Sequence, residues 1–218
     1  MRQSQLLLKR GLICTLGMFF YATGVALTKN CNLGISPIVS VAYALSVITG
    51  ITLGWCTTLV NLVLFAMQRL LLGRQYTLRI MLSQFLMSAC FSVFIDVAAR
   101  LWAFVGPSAY PSRLLLFTIG CAILALGMCM VLQGNFVILP AEGAVVALTK
   151  RLHTEFGKTK VCFDATMVAV TTLLSLAFIG KLAGIREGTL IAVLLIGTFA
   201  KPIGACLTKY IVPHVAAC

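Results

Sequence analysis

Three of the five acidic residues in this chain, Asp96, Glu142 and Asp164, fall inside apolar runs. An ionisable group in hydrocarbon is costly, so it is kept for pairing, for handling a proton or ion, or for holding a ligand. Lys201 is their basic counterpart, standing in the last apolar run 105 residues after Asp96. The spacing predicts an intramembrane ion pair between Asp96 and Lys201 that joins two halves of the molecule. Arg100, four residues beyond Asp96, is the local alternative partner along one helix. Asp164 opens an apolar run, where a helix start favours an acid, or it lines a site together with Glu142.

Two short stretches break the apolar pattern and are the natural places for a ligand: Leu33-Gly34-Ile35-Ser36-Pro37 and Leu139-Pro140-Ala141-Glu142-Gly143. Proline suits the first turn of a helix because its missing N–H costs nothing there, Ser36 is able to cap that turn, and Gly34 permits a tight approach. The exposed N–H groups of a helix start favour an anion. Glu142 stands where the first copy has a serine, so it occupies the helix-start site itself or binds a cation or proton. The expected ligand-binding set is therefore Gly34, Ser36, Pro37, Glu142, Gly143 and Asp164.

No nucleophile and base, no HExxH, no Gly-x-Ser-x-Gly and no phosphate-binding loop occur in the sequence, so neither an enzyme nor an ATPase is expected, and no metal or cofactor. His153 and His214 fall in charged or terminal segments. The nine cysteines are scattered without a CxxC pair and read as small apolar packers, with Cys31 expected as a free thiol in a loop. Asn61, Gln68 and Gln84 are expected to bond across helices or to face a cavity.

The elements that must position these groups are membrane helices. The chain is 61% hydrophobic and 10% charged, against about 25% charged residues in soluble domains. Runs long enough to cross a bilayer cover 11–29, 54–72, 78–103, 112–134, 161–180 and 187–211, the first being a retained span rather than a cleaved signal. Pro37 to Ile48 and Ala141 to Leu148 are too short and are expected to enter the membrane and return. The fold class is thus all-α: a polytopic membrane bundle of six spans plus two broken or re-entrant half-helices.

The two halves align. Leu16-Gly17-Met18 matches Leu126-Gly127-Met128, Pro37 falls near Gly143, and Leu72-Gly73-Arg74 matches Ile179-Gly180-Lys181. Residues 1–108 and 109–218 are read as two membrane repeats, and three crossings per repeat turn the second copy upside down, the plan of many secondary transporters. Trp102 to Arg113 is the hinge between them. The net charge of +12 comes from basic residues gathered at the ends of apolar runs, which is topology information and contact with anionic lipid. Arg2, Lys9, Arg10, Arg69, Arg74, Lys150 and Arg151 fall on one side and predict a cytoplasmic N-terminus. No basic stripe interleaved with aromatics points to nucleic acid.

Gly34-Ile35-Ser36-Pro37, Asp96, Glu142-Gly143, Asp164 and the stretch Gly184 to Thr189 together resemble the YczE/YyaS/YitT group of bacterial integral membrane proteins, over nearly the whole chain. Leu139-Pro140-Ala141-Glu142 stands where that group has a glycine-rich start. The resemblance implies a multi-pass protein of the bacterial plasma membrane and no defined reaction. The leading expectation is a small secondary transporter or permease-like protein for a small solute. The alternatives are a non-transporting assembly or regulatory partner and the substrate-binding membrane subunit of a larger transporter. The partners expected are the lipid bilayer, a small solute, and a second copy or another membrane protein.

Overall fold

The structure is a computed structural model that describes residues 2–73, 76–134, 137–181 and 185–215. Within these ranges the side chains of residues 2–7, 156, 157, 190, 193, 194, 197, 201 and 210–215 lie outside the description. Arg74 and Gly184, and the side chains of Arg2, Lys201 and His214, named above, are therefore outside the described residues.

The order of elements is α1 Arg2–Asn30, α2 Pro37–Thr49, α3 Leu53–Leu72, α4 Leu78–Leu101, α5 Tyr110–Gly134, α6 Pro140–Leu152, α7 Phe156–Phe178 and α8 Glu187–Val215. Every expected run is a helix, and no strand occurs among the described residues. Five helices, α1, α3, α4, α5 and α7, are long and apolar enough to cross a membrane over their described residues, and the 29-residue α8 has the length to do so. Large apolar side chains such as Val63, Leu70, Leu78 and Leu173 stand exposed on the outside, the surface a bilayer solvates. This is an integral membrane helical bundle.

α2 and α6 have 13 residues each, about 20 Å of rise against roughly 30 Å of hydrocarbon. Both start with proline in the first turn, as the sequence indicated, and both end in a left-handed residue, Gly50 after α2 and His153 after α6. α6 continues past the expected Leu148 to take in Lys150 and Arg151, whose charges suit a helix C-terminus.

A glycine seam between α1 and α5 fixes the centre. A β-carbon on Gly24 would lie 2.7 Å from Leu124 Cα, and one on Gly17 would lie 2.9 Å from the Val131 nitrogen. Gly120 sits against Leu27 and Thr28, and Gly134 against Cys14. Residue numbers fall along α5 as they rise along α1, so the two helices are antiparallel. Small residues are what allow two backbones to approach this closely where lipid supplies no hydrophobic drive.

The remaining directions follow from contacts. α3 and α4 are antiparallel, linked by Gly54 to Asp96, Thr58 to Ser92 and Asn61 to Ser88. α4 runs with α1, since Tyr21 meets Phe91 and Asn30 meets the Trp102 carbonyl. α8 runs with α5, through Cys129 to Ala200 and Gln133 to Thr208. α2 packs on α7, and α6 packs on α3, so each short helix leans on a long helix of the other half.

The path of the chain around α2 is then determined. The end of α1 lies beside the end of α4 through Asn30 and Trp102, and the end of α4 lies beside the start of α3 through Asp96. α2 therefore finishes at the same end of the bundle at which α1 finishes. Cys31 to Ser36 lead inward, and α2 leads back. With α2 returning rather than crossing, α1, α3 and α4 make three passes, which is the parity that sets α5 against α1.

Candidate functional site

Ser36, Pro37, Glu142 and Asp164, from four separate places in the sequence, line one cavity of about 390 Å³. Tyr21 of α1 also lines it, about 13 Å below the last residue of that helix at 1.5 Å per residue. The cavity thus lies near mid-depth, at the starts of both half-helices. Leu124, Met128 and Leu132 from α5, Val146 from α6, Val161 from α7 and Ile196 from α8 make its walls apolar.

Glu142 is 6% exposed and lies in the first turn of α6, where the helix dipole favours its negative charge. Its carboxylate is met by its own backbone N–H, and no ion pair reaches it from the described residues. It also lines a second, small cavity of about 30 Å³ with Thr57 and Asn61, so it separates the main cavity from the polar side of α3. Asp164 accepts from Lys160 at 2.5 Å, one turn earlier on α7, and both side chains are largely buried. Lys160, which also lines the cavity, attracts the Glu142 carboxylate as well but is ion-paired to Asp164, so Glu142 has no ion pair of its own among the described residues.

Ser36 takes the N-cap position of α2, but its hydroxyl does not cap the helix. Its carbonyl accepts instead from the Val39 and Ser40 N–H groups, both at 3.0 Å. The hydroxyl, in a residue 7% exposed, makes no hydrogen bond with the described residues. The expected cap is absent: the Ser36 carbonyl takes the Val39 N–H that a cap would satisfy, and the Ile38 N–H is left without a partner among the described residues.

The other expected residues lie elsewhere. Gly34, at φ +127°, packs on Thr189 and Arg186 at the start of α8; a side chain there would be strained and would collide. Close by, Gly188 gives its N–H to the Leu33 carbonyl at 2.8 Å, and a β-carbon on it would lie 2.5 Å from that oxygen. Gly143 faces away from the cavity into the amides of Gln68 and Gln84. Asp96 stands at the end of the bundle, accepting from the Gly54 N–H and the Thr52 hydroxyl, both at 2.8 Å, rather than pairing with Arg100. The side chain of Lys201, its other expected partner, is outside the described residues.

Asn61 and Gln68 bond across helices, and Gln84 bonds to the α3–α4 connection. Asn61 donates to Ser88 at 2.6 Å, Gln68 donates to the Pro140 carbonyl at 3.0 Å, and Gln84 accepts from the Tyr76 hydroxyl at 2.6 Å. Burial pushes the Tyr76 phenol above its usual pKa, so it remains a donor. Cys31 is a free thiol in a turn, as expected, but fully buried, its Sγ donating to Leu27 O at 3.1 Å. Tyr21 and Lys160 are the site residues that the sequence reasoning missed. The four-residue spacing from Lys160 to Asp164 was a visible signal; nothing local marks Tyr21.

A protein of Bacillus subtilis (strain 168) described as "Uncharacterized protein YyaS" is similar to this chain, 26% identical over 188 residues that cover 84% of this chain and 86% of that protein. This agrees with the resemblance carried by the motifs above. No solved structure matches the chain. Residues 8–204 match the model of a family of unknown function, DUF6198, and the chain belongs to that family.

Proposed function

We propose that this protein is a small secondary transporter that binds a solute in the mid-depth cavity between two inverted repeats, residues 1–108 and 109–218. The observation that carries the reading is the meeting of two half-length helices, one from each repeat, at a cavity holding the buried Glu142. The antiparallel α1 and α5 support the inversion. So does the packing: α2 on α7 mirrors α6 on α3, and α1 with α4 mirrors α5 with α8. Helix starts inside a membrane supply ligand donors, and rocking of one repeat against the other exposes such a site alternately to the two sides. The basic residues at the span ends support a plasma-membrane location with the N-terminus in the cytoplasm.

Reconstitution into liposomes tests the proposal, with uptake measured for a panel of amino acids, small anions and cations. Wild type is expected to move at least one solute and Glu142→Gln to lose that flux. Absence of flux for every solute in the panel would favour a non-transporting assembly partner. That second reading is supported by Asp96, Asn61, Gln68 and Gln84, each of which makes a hydrogen bond to another helix or to a helix-connecting segment.

A further inference from the structure

The two short helices present unlike groups to the cavity. The first turn of α2 has no acidic residue, and the Val39 and Ser40 N–H groups are taken by Ser36 O. The Ile38 N–H has no partner among the described residues, and neither has the Ser36 hydroxyl. This end of the cavity offers an N–H and a hydroxyl, both able to donate, and no charged side chain. At the other helix start Glu142 offers an acceptor carrying negative charge, with no cation of the described residues paired to it. Lys160, the nearest candidate, is held by Asp164 at 2.5 Å. The Ser36 hydroxyl and the Glu142 carboxylate, in residues 7% and 6% exposed, make no hydrogen bond to another of the described residues, and both border one cavity, where a ligand would complete them.

A simple cation would satisfy Glu142 and leave the α2 donors facing apolar walls. A simple anion would satisfy those donors and meet Glu142 as a like charge. A ligand carrying both charges on an apolar body satisfies each end and fills the space between, and about 390 Å³ is the size of a site for a small organic molecule.

Resting on the reading of the cavity as a solute site, we propose that its ligand is a small apolar zwitterion, with an ammonium group at Glu142 and a carboxylate at Ser36 and the start of α2. The Tyr21 ring, on the cavity wall, adds a face suited to the ammonium.

The test is equilibrium dialysis on the full-length protein in detergent, with three probes that differ only in their charged groups: phenylalanine, phenethylamine and 3-phenylpropionate. Wild type is expected to bind phenylalanine about tenfold or more tighter than either analogue. Glu142→Gln should abolish the preference over 3-phenylpropionate, with Glu142→Asp retaining part of it. Ser36→Ala should shrink the preference over phenethylamine while leaving phenethylamine affinity unchanged, which separates loss of a contact from loss of the fold. Phenethylamine binding as tightly as phenylalanine, 3-phenylpropionate doing so, or none of the three binding to protein of intact helicity would each overturn the proposal. The two readings fail separately. Binding of phenylalanine without flux in liposomes removes transport and keeps the zwitterion site. Flux of some other solute that depends on Glu142, without phenylalanine binding, does the reverse.

Discussion

Gly54 and Asp96 are joined by a 2.8 Å hydrogen bond from the Gly54 N–H to the Asp96 carboxylate, and through it α4 secures the start of α3. The second carboxylate oxygen accepts from Thr52, the N-cap of α3, whose own hydroxyl oxygen accepts from the Trp55 N–H. A β-carbon on Gly54 would lie 2.5 Å from an Asp96 oxygen, so the approach needs glycine. Asp96 is in this respect a capping residue supplied from another helix.

Asp96→Ala should therefore destabilise the protein by about 1–2 kcal/mol, the cost of a lost cap, and Asp96→Asn by less. Thermal unfolding in detergent, followed by far-UV dichroism, measures both. Equal melting temperatures for Asp96→Ala and wild type would remove the capping role.

The glycine seam predicts a steep contrast between two similar substitutions. Gly24→Ala drives a methyl group into the Leu124 backbone and should cost roughly 1–3 kcal/mol, as overpacking does. Gly11→Ala meets nothing within 4 Å and should gain about 0.5–1 kcal/mol from the helix preference of alanine. Melting temperatures that move in the same direction for the pair would contradict the packing described.

Ser40 and Thr171 share a 2.8 Å hydrogen bond between the first half-helix and α7, both buried. A double-mutant cycle with Ser40→Ala and Thr171→Val should return a coupling of about 0.6 kcal/mol, typical of such bonds in membranes. Zero coupling would mean that the contact holds nothing.

Cys31 should resist thiol reagents in the folded protein. Burial pushes its pKa up to about 11, with Arg113 acting weakly in the opposite direction. At pH 7.5 the thiolate, the reactive form, is scarce, and labelling should rise with pH towards 11. The sign for stability is the reverse. A thiol whose folded pKa is raised contributes fully below about pH 9, its unfolded value, and that contribution is lost as pH climbs to about 11. Maleimide modification read by mass spectrometry, before and after denaturation, checks the first point; rapid labelling of native Cys31 at neutral pH would refute it.

The helices were legible because hydropathy runs and prolines are local signals. Pro37 marked the start of α2 to the residue, and α6 starts at Pro140, one residue before the expected Ala141. Convergence of Ser36, Pro37, Glu142 and Asp164 on one cavity was legible as well, since each is a polar or conformational exception within an apolar run. Neighbours set by crossing geometry were not. Gly143 reads like a ligand-site glycine next to Glu142, yet successive helical positions point about 100° apart, and it faces Gln68 and Gln84 instead. Asp96 has the sequence spacing of an intramembrane charge, and only the fold reveals that the start of α3 lies against it. Tyr21 enters the site because α1 meets α5 in antiparallel register, and no window of sequence contains that fact.

The lean of α2 on α7 sets an order of events in biosynthesis. Thr171 follows Ser40 by 131 residues, and at 5–20 residues per second it leaves the ribosome about 7–26 s later. Through that interval the first half-helix has α3 beside it but not α7, too short to span and too apolar to stay in water. It must wait in the membrane interface or beside the insertion machinery. The second half-helix faces no such delay, because α3, its support, is already made when Pro140 is reached.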